Sequence, residues 1–136
     1  MLSTIHLTTN VREGLINITP QIKELITNSG ISEGICVIYV PHTTAAVTVN
    51  SGMDPLTIED IYSEVRRLVP TRVDFKHIYD TPADAAGHIK TTLVGNSLTF
   101  IISGNNLLLG SSQSILFYEF DGPRERQLLV RVIEDK

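Results

Sequence analysis

The sequence predicts an α+β domain whose strands form a largely antiparallel sheet or sandwich. Two observations carry that prediction. Eight short apolar runs, mostly rich in β-branched and aromatic residues, are bounded by Gly, Asn, Ser or Pro, whereas only three segments carry helix signals. Strands also precede and follow the central helices instead of alternating with them one for one, which argues against a parallel βαβ arrangement. The 136 residues, 42% hydrophobic and 19% charged, contain no repeat, low-complexity tract or linker-like shift in composition, so a single domain over residues 1–136 is expected.

Taken in order, STIHLTT and GLINI read as strands, the first alternating along its length. ITPQIKELITNSG reads as a helix: Thr19 is placed to cap it, Pro20 suits its first turn, Gly30 can end it, and Ile22, Leu25 and Ile26 form an apolar stripe. ICVIYV and AAVTV are strands separated by PHTT. In MDPLTIEDIYSEVRRLVP, Asp54 caps, Pro55 opens the helix, and Ile58, Ile61, Val65 and Leu68 recur at helical spacing up to Pro70. YDTPADAAGHIKTTLVGNS repeats the device with Thr81, Pro82 and a closing Gly95. LTFIIS, NLLLG, SILFYEF and RQLLVRVI are strands, and Asp121, Gly122 and Pro123 between the last two are the chemistry of a hairpin turn.

Composition excludes several roles. The formal net charge is −4 with Lys and Arg scattered, tryptophan is absent and aromatics are 6% of the chain; nucleic acid is therefore not an expected partner. No apolar run reaches the ~18–20 residues a membrane span needs and no cationic, apolar leader opens the chain, so no membrane partner and a cytoplasmic location are expected. Cys36 is the single cysteine and lies within an apolar run, which suits a buried thiol in a reducing compartment.

The residues that break these patterns are the candidates for chemistry. Pro41 forces the chain off the ladder after ICVIYV, which places His42 at a bend followed by Thr43, Thr44, Ala45 and Ala46. Either this bend exposes hydroxyls and amides to a ligand, or His42 and the threonines simply satisfy a strand end. Asp84 and His88 are four apart on the third helix, hence on one face, where a carboxylate orients an imidazole. The small neighbours Ala83, Ala85, Ala86 and Gly87 leave that turn open, although a solvated i, i+4 pair has the same spacing. His77 and Asp80 lie just upstream, and Lys90 lies on another face. No HExxH or paired CxxC spacing marks a zinc site. Arg124, beside Asp121, is suited to a phosphate or carboxylate, or to a salt bridge within the turn.

PHTTAAVTVN, the His77 segment, AAGHIKTTLVGNS, LLLGSSQ and EFDGPRER, in this order and over nearly the whole chain, resemble the YjbQ family of secondary thiamine-phosphate synthases. The resemblance implies a trimeric α+β subunit built on a β-sandwich, with a polar cleft shared between subunits. Carried over residue by residue, it implies a site of His42, Thr43, Thr44, His77, His88, Lys90, Gly110, Gln113, Asp121, Gly122, Pro123 and Arg124. Ser51 and Ser112 stand where many relatives have an acid and a tryptophan, departures that bear on substrate fit more than on fold.

The combined expectation is catalysis by His42, His77, Asp84 and His88. Thr43, Thr44, Lys90, Gln113 and Arg124 would hold a small phosphorylated molecule, and His42, His77 and His88 a divalent metal ion of unspecified identity. The reaction implied joins a pyrimidine pyrophosphate to a thiazole phosphate; the alternative is a binder of a phosphorylated metabolite or metal that turns nothing over.

Overall fold

A computed structural model describes residues 1–78 and 80–136. In chain order the elements are β1 (Leu2–Thr8), β2 (Gly14–Asn17), α1 (Thr19–Ser29), β3 (Gly34–Tyr39), β4 (Ala45–Asn50), α2 (Pro55–Leu68), α3 (Pro82–Val94), β5 (Ser97–Ser103), β6 (Asn106–Leu107), β7 (Ser114–Glu119) and β8 (Glu125–Glu134). One sheet has the order β1-β8-β3-β5-β6 and the other β2-β7-β4. Neighbouring strands are antiparallel in both sheets. All eight apolar runs thus contribute strands, NLLLG only two residues of one.

Alternation along the strands builds the sandwich. Cys36, Ile38, Phe100, Ile102, Leu128, Val130 and Val132 of the larger sheet meet Ala45, Val47, Ile115 and Phe117 of the smaller, and Ile22 and Ile26 of α1 join the same core. Each such large aliphatic or aromatic side chain contributes roughly 1.5–3 kcal/mol of apolar burial. The other face of the smaller sheet carries Ala46, Tyr118 and Phe120 beneath Ile61, Tyr62 and Val65 of α2 and Val94 of α3. Covered on both sides, β7 is buried at every residue. Cys36 is buried, and burial raises its thiol pKa to about 11.

The caps follow the sequence in two helices of three. The Asp54 carboxylate accepts from the Leu56 N–H at 2.9 Å, and the Thr81 hydroxyl accepts from the Asp84 N–H at 3.2 Å. Thr19 does not cap α1; it is the helix's first residue. Asn17 Oδ1 accepts from the Thr19 N–H, and the Thr19 hydroxyl turns to the sheet and accepts from the Ile115 N–H at 2.8 Å. In α2 the expected stripe covers less than its spacing suggests, since Leu68 is 66% exposed.

The expected hairpin of the last two strands is also corrected. β7 pairs with β2 and β4, β8 with β1 and β3, so the chain changes sheets at residues 120–124. Polar groups of the segment between β1 and β2 hold that corner. The Gly122 N–H donates to the Arg12 carbonyl and the Arg124 N–H to Thr9 Oγ1, each at 2.9 Å. Gly122 permits the approach, because a Cβ there would sit 2.0 Å from the Val11 carbonyl oxygen.

By strand alternation Glu119 continues the inward face of Ile115 and Phe117, and Arg126 that of Leu128 and Val130. The apolar core therefore ends in an ion pair between the sheets. Arg126 Nε donates to Glu119 Oε1 at 2.9 Å and its Nη2 to Oε2, while Thr9 Oγ1 donates to Oε1 at 2.7 Å and the Asp121 N–H to Oε2 at 3.1 Å. Burial raises the Glu119 pKa, but these bonds outweigh it and hold the carboxyl below the ordinary range.

Replacing Arg126→Met alone leaves a buried carboxylate uncompensated, and urea unfolding should show a loss of about 3–5 kcal/mol. The double replacement Glu119→Leu with Arg126→Met should be less destabilised than Arg126→Met. Because the folded pKa of Glu119 is depressed, its contribution is present above the unfolded carboxyl pKa of about 4.3 and is lost as pH falls through the folded value. Wild type should accordingly lose more stability on acidification from pH 6 than the double variant, read as the change in urea midpoint.

Candidate functional site

The site is built on the N-terminal half of α3, where Ala83, Asp84, Ala85, Ala86 and Gly87 are all buried. A Cβ on Gly87 would lie 3.2 Å from Thr44 Cγ2 and 3.4 Å from Phe120 Cβ, so the small residues let the helix lie close to the smaller sheet. Asp84, in the first turn, is favourably placed against the helix dipole.

Both imidazoles converge on one oxygen of that aspartate. His77 Nε2 and His88 Nε2 lie 2.7 and 3.1 Å from Asp84 Oδ2, and the two rings meet edge to face with centroids 5.1 Å apart. Against an ionised carboxylate each Nε2 carries the proton and donates it. The Asp84 side chain is 10% exposed and those of His77 and His88 38% and 41%, so the carboxylate is covered while the rings remain accessible. Burial pushes the Asp84 carboxyl up, but the His77 bond, the His88 charge and further bonds from Asp121 and His88 hold it below the usual range. Asp121 places a second carboxyl beside Asp84; Arg124 donates to it from Nη2 at 2.9 Å and to its carbonyl from Nε at 2.8 Å.

His42 and Thr43 stand across a cavity of about 320 Å³ that His88, Thr91, Thr92, Gly95 and Asn96 also line. His77 approaches His88 from the other side and lines a separate hollow with Arg72, Phe75, Asp80 and Pro82. His88 thus links the two, sharing a cavity with His42 and a ring contact with His77. Among the described residues, the ligand atoms close enough to share a metal belong to His77, Asp84 and His88, all within 4.8 Å of one another. Asp84, rather than His42, completes that group; His42 Nε2 instead accepts a hydrogen bond from the Gln127 amide at 3.0 Å.

Three further expected residues lie away from this centre. Thr44 is buried, its hydroxyl and carbonyl both taken by Arg126 Nη2. Lys90, two residues beyond His88, turns under the helix, where it is 3% exposed, 3.3 Å from Glu13 Oε2 and 5.8 Å from the centroid of the Phe120 ring. Gln113 accepts from the Gly110 N–H and lines another cavity with Asn17, Thr19 and Lys23. It precedes β7 and Asp121 follows it, so a strand of roughly 17–20 Å separates them. Sequence reasoning missed the Glu119–Arg126 pair that carries Thr44. Its signal is a charge at the inward parity of each of two apolar strands.

The Asp84–His77 bond ties the irregular segment before α3 to the body of the protein. Asp84→Ala should raise the rate of tryptic cleavage after Lys76 roughly tenfold or more, as expected for losing a charge-assisted bond of about 1.5–3 kcal/mol. An unchanged rate would show that other contacts hold the segment.

The comparisons agree with this architecture. The family model described as UPF0047 protein YjbQ-like matches residues 3–135. The UPF0047 protein MJ1081 of Methanocaldococcus jannaschii is 45% identical over all of this chain and 96% of its own length, and YugU of Bacillus subtilis is 34% identical over 98% and 99%. Among solved structures, the hypothetical protein APE1520 of Aeropyrum pernix K1 superposes with a TM-score of 0.92 at 34% identity, covering 99% of both chains. A YbjQ-like protein of unknown function from Sulfolobus solfataricus P2 gives 0.93 at 30% identity, covering 99% of this chain and 97% of its own. With near full-length matches in sequence and in fold, the chain belongs to the YjbQ-like UPF0047 protein family.

Proposed function

We propose that the protein is an enzyme acting on a small phosphorylated substrate at the His77–Asp84–His88 centre, with thiamine-phosphate formation, the reaction its family resemblance implies, as the reaction to assay. The observation that carries the reading is the convergence of two accessible imidazoles on one covered carboxylate oxygen. A structural ion pair would not require two rings set edge to face at an opening, beside a second carboxyl and an arginine. His88, which lines the cavity with His42 and shares Asp84 with His77, is the residue placed to exchange a proton with a bound substrate. Arg124 keeps its Nη1 edge for an anion while Asp121 holds the rest of the guanidinium.

The donor set also fits a divalent ion. His77, Asp84 and His88 would hold it in place of the two protons they share, and three protein ligands leave further positions open, as catalytic sites do. Such an ion would supply positive charge to an anionic leaving group. Lys90 is already paired with Glu13, which leaves Arg124, held by the Asp121 carboxyl beside Asp84, for that task.

The homotrimer implied by the family resemblance is part of the proposal. It is supported by Ile35, Tyr39, Ile101 and Ile133, which stand exposed on the outer face of the larger sheet. The remoteness of Gln113 from the histidines within one chain is consistent with a cleft completed by a neighbour. A reducing compartment such as the cytoplasm suits the single buried Cys36.

Incubation with the pyrimidine pyrophosphate and thiazole phosphate should yield thiamine phosphate, and His88→Ala should cut turnover by roughly 10²–10⁴-fold while the helix persists. A chain that binds without catalysing would show no turnover above background and weaker zinc or phosphate affinity in the variant by calorimetry. Turnover and affinity both unchanged in His88→Ala would remove this centre from the function. Light scattering should report three copies at micromolar concentration.

A further inference from the structure

β3 runs beside β8 as far as Tyr39 opposite Leu129. The same register would set residue 41 opposite Gln127, but Pro41 has left the ladder. The His42 ring stands in for the missing strand, accepting the Gln127 backbone N–H on Nε2 at 3.0 Å. A backbone amide donates only to an unprotonated ring nitrogen, so the single proton of the neutral ring lies on Nδ1. Among the described residues none hydrogen-bonds Nδ1. The ring lines the 320 Å³ cavity together with Thr43 and with Thr91, whose hydroxyl is buried without a partner. Burial and the nearby Arg126 guanidinium both lower the pKa of His42 and favour the neutral ring.

We infer that His42 is a fixed, neutral hydrogen-bond donor, presenting Nδ1–H to an oxyanion oxygen of the substrate's phosphate in the cavity it shares with Thr43 and Thr91, and is neither a metal ligand nor a base. This rests on the reading that the substrate is phosphorylated. It divides the labour among the histidines: His77 and His88 carry protons on the nitrogens that face Asp84, where an ion can replace them, whereas the proton of His42 is directed by the backbone of β8. A metal ligand must offer a lone pair, and the one on His42 is already engaged.

The choice of amide side chain tests the assignment. Asparagine places its amide nitrogen near the position of Nδ1, and glutamine reaches the position of Nε2. Calorimetry with inorganic pyrophosphate in magnesium buffer should show His42→Asn within about threefold of wild type, and His42→Gln and His42→Ala weaker by roughly tenfold, the value of a hydrogen bond to a charged group. Zinc affinity should stay within about threefold in all three variants, which also verifies that they fold. Long-range proton–nitrogen NMR of the wild type should find His42 protonated on Nδ1. An Nε2–H ring, a tenfold loss of zinc affinity in His42→Asn, or equal losses in His42→Asn and His42→Gln would overturn the inference while leaving the phosphorylated substrate intact. A wild type that binds no pyrophosphate would overturn the inference together with the reading it rests on.

Discussion

The Glu119–Arg126 ion pair is the constraint on which the functional end of the sandwich depends. Two apolar sheets can slide over one another with little change in buried area, but a bidentate pair between them has one geometry. Its spare bonding capacity reaches three polar segments at that end. Glu119 accepts from Thr9 at the end of β1 and from the Asp121 amide at the corner, while Arg126 donates to both oxygens of Thr44 in the turn before β4. Gln127, the next residue of β8, then holds His42. The buried pair is weak evidence of added stability, because desolvation offsets much of the attraction; it fixes where the polar turns lie.

α3 brings the remaining chemistry to that fixed end. Gly87 against Thr44 sets how closely the helix approaches, and the cap at Thr81 sets where it begins. Asp84 is consequently the meeting point of three influences: the helix start, the two imidazoles and the Asp121–Arg124 corner. The alanines around it bring the backbone of α3 against the smaller sheet and leave the polar side chains to form the rim.

How much of this could be read from the sequence depended on whether a signal was local. Strand runs, the caps of α2 and α3, and the shared face of Asp84 and His88 are encoded within a few residues, and all appear in the structure. Asp121-Gly122-Pro123 misled because turn residues specify a change of direction and not the partner of the outgoing strand; that choice was made by Thr9, Val11 and Arg12, more than a hundred residues away. Thr19 misled for a related reason, since an Asn17 side chain and a distant Ile115 amide competed for the same groups. The removal of Lys90 and Gln113 from the histidine centre follows from which way α3 faces and from the length of β7, neither of which motif order records.

The position of β8 bears on how the chain reaches its fold during synthesis. β8 lies between β1 and β3, so β1 pairs with nothing of the larger sheet until β8 is available. A growing chain can form α1 and the β3–β5 ladder early, yet β1 remains unpaired and the carboxylate of Glu119 lacks its counter-charge throughout. Such a topology places most of the favourable contacts at large sequence separation, which slows folding and prolongs the exposure of apolar strands. Completion of the functional end therefore awaits β8, and chains truncated before that strand should lack the site as a whole instead of retaining part of it.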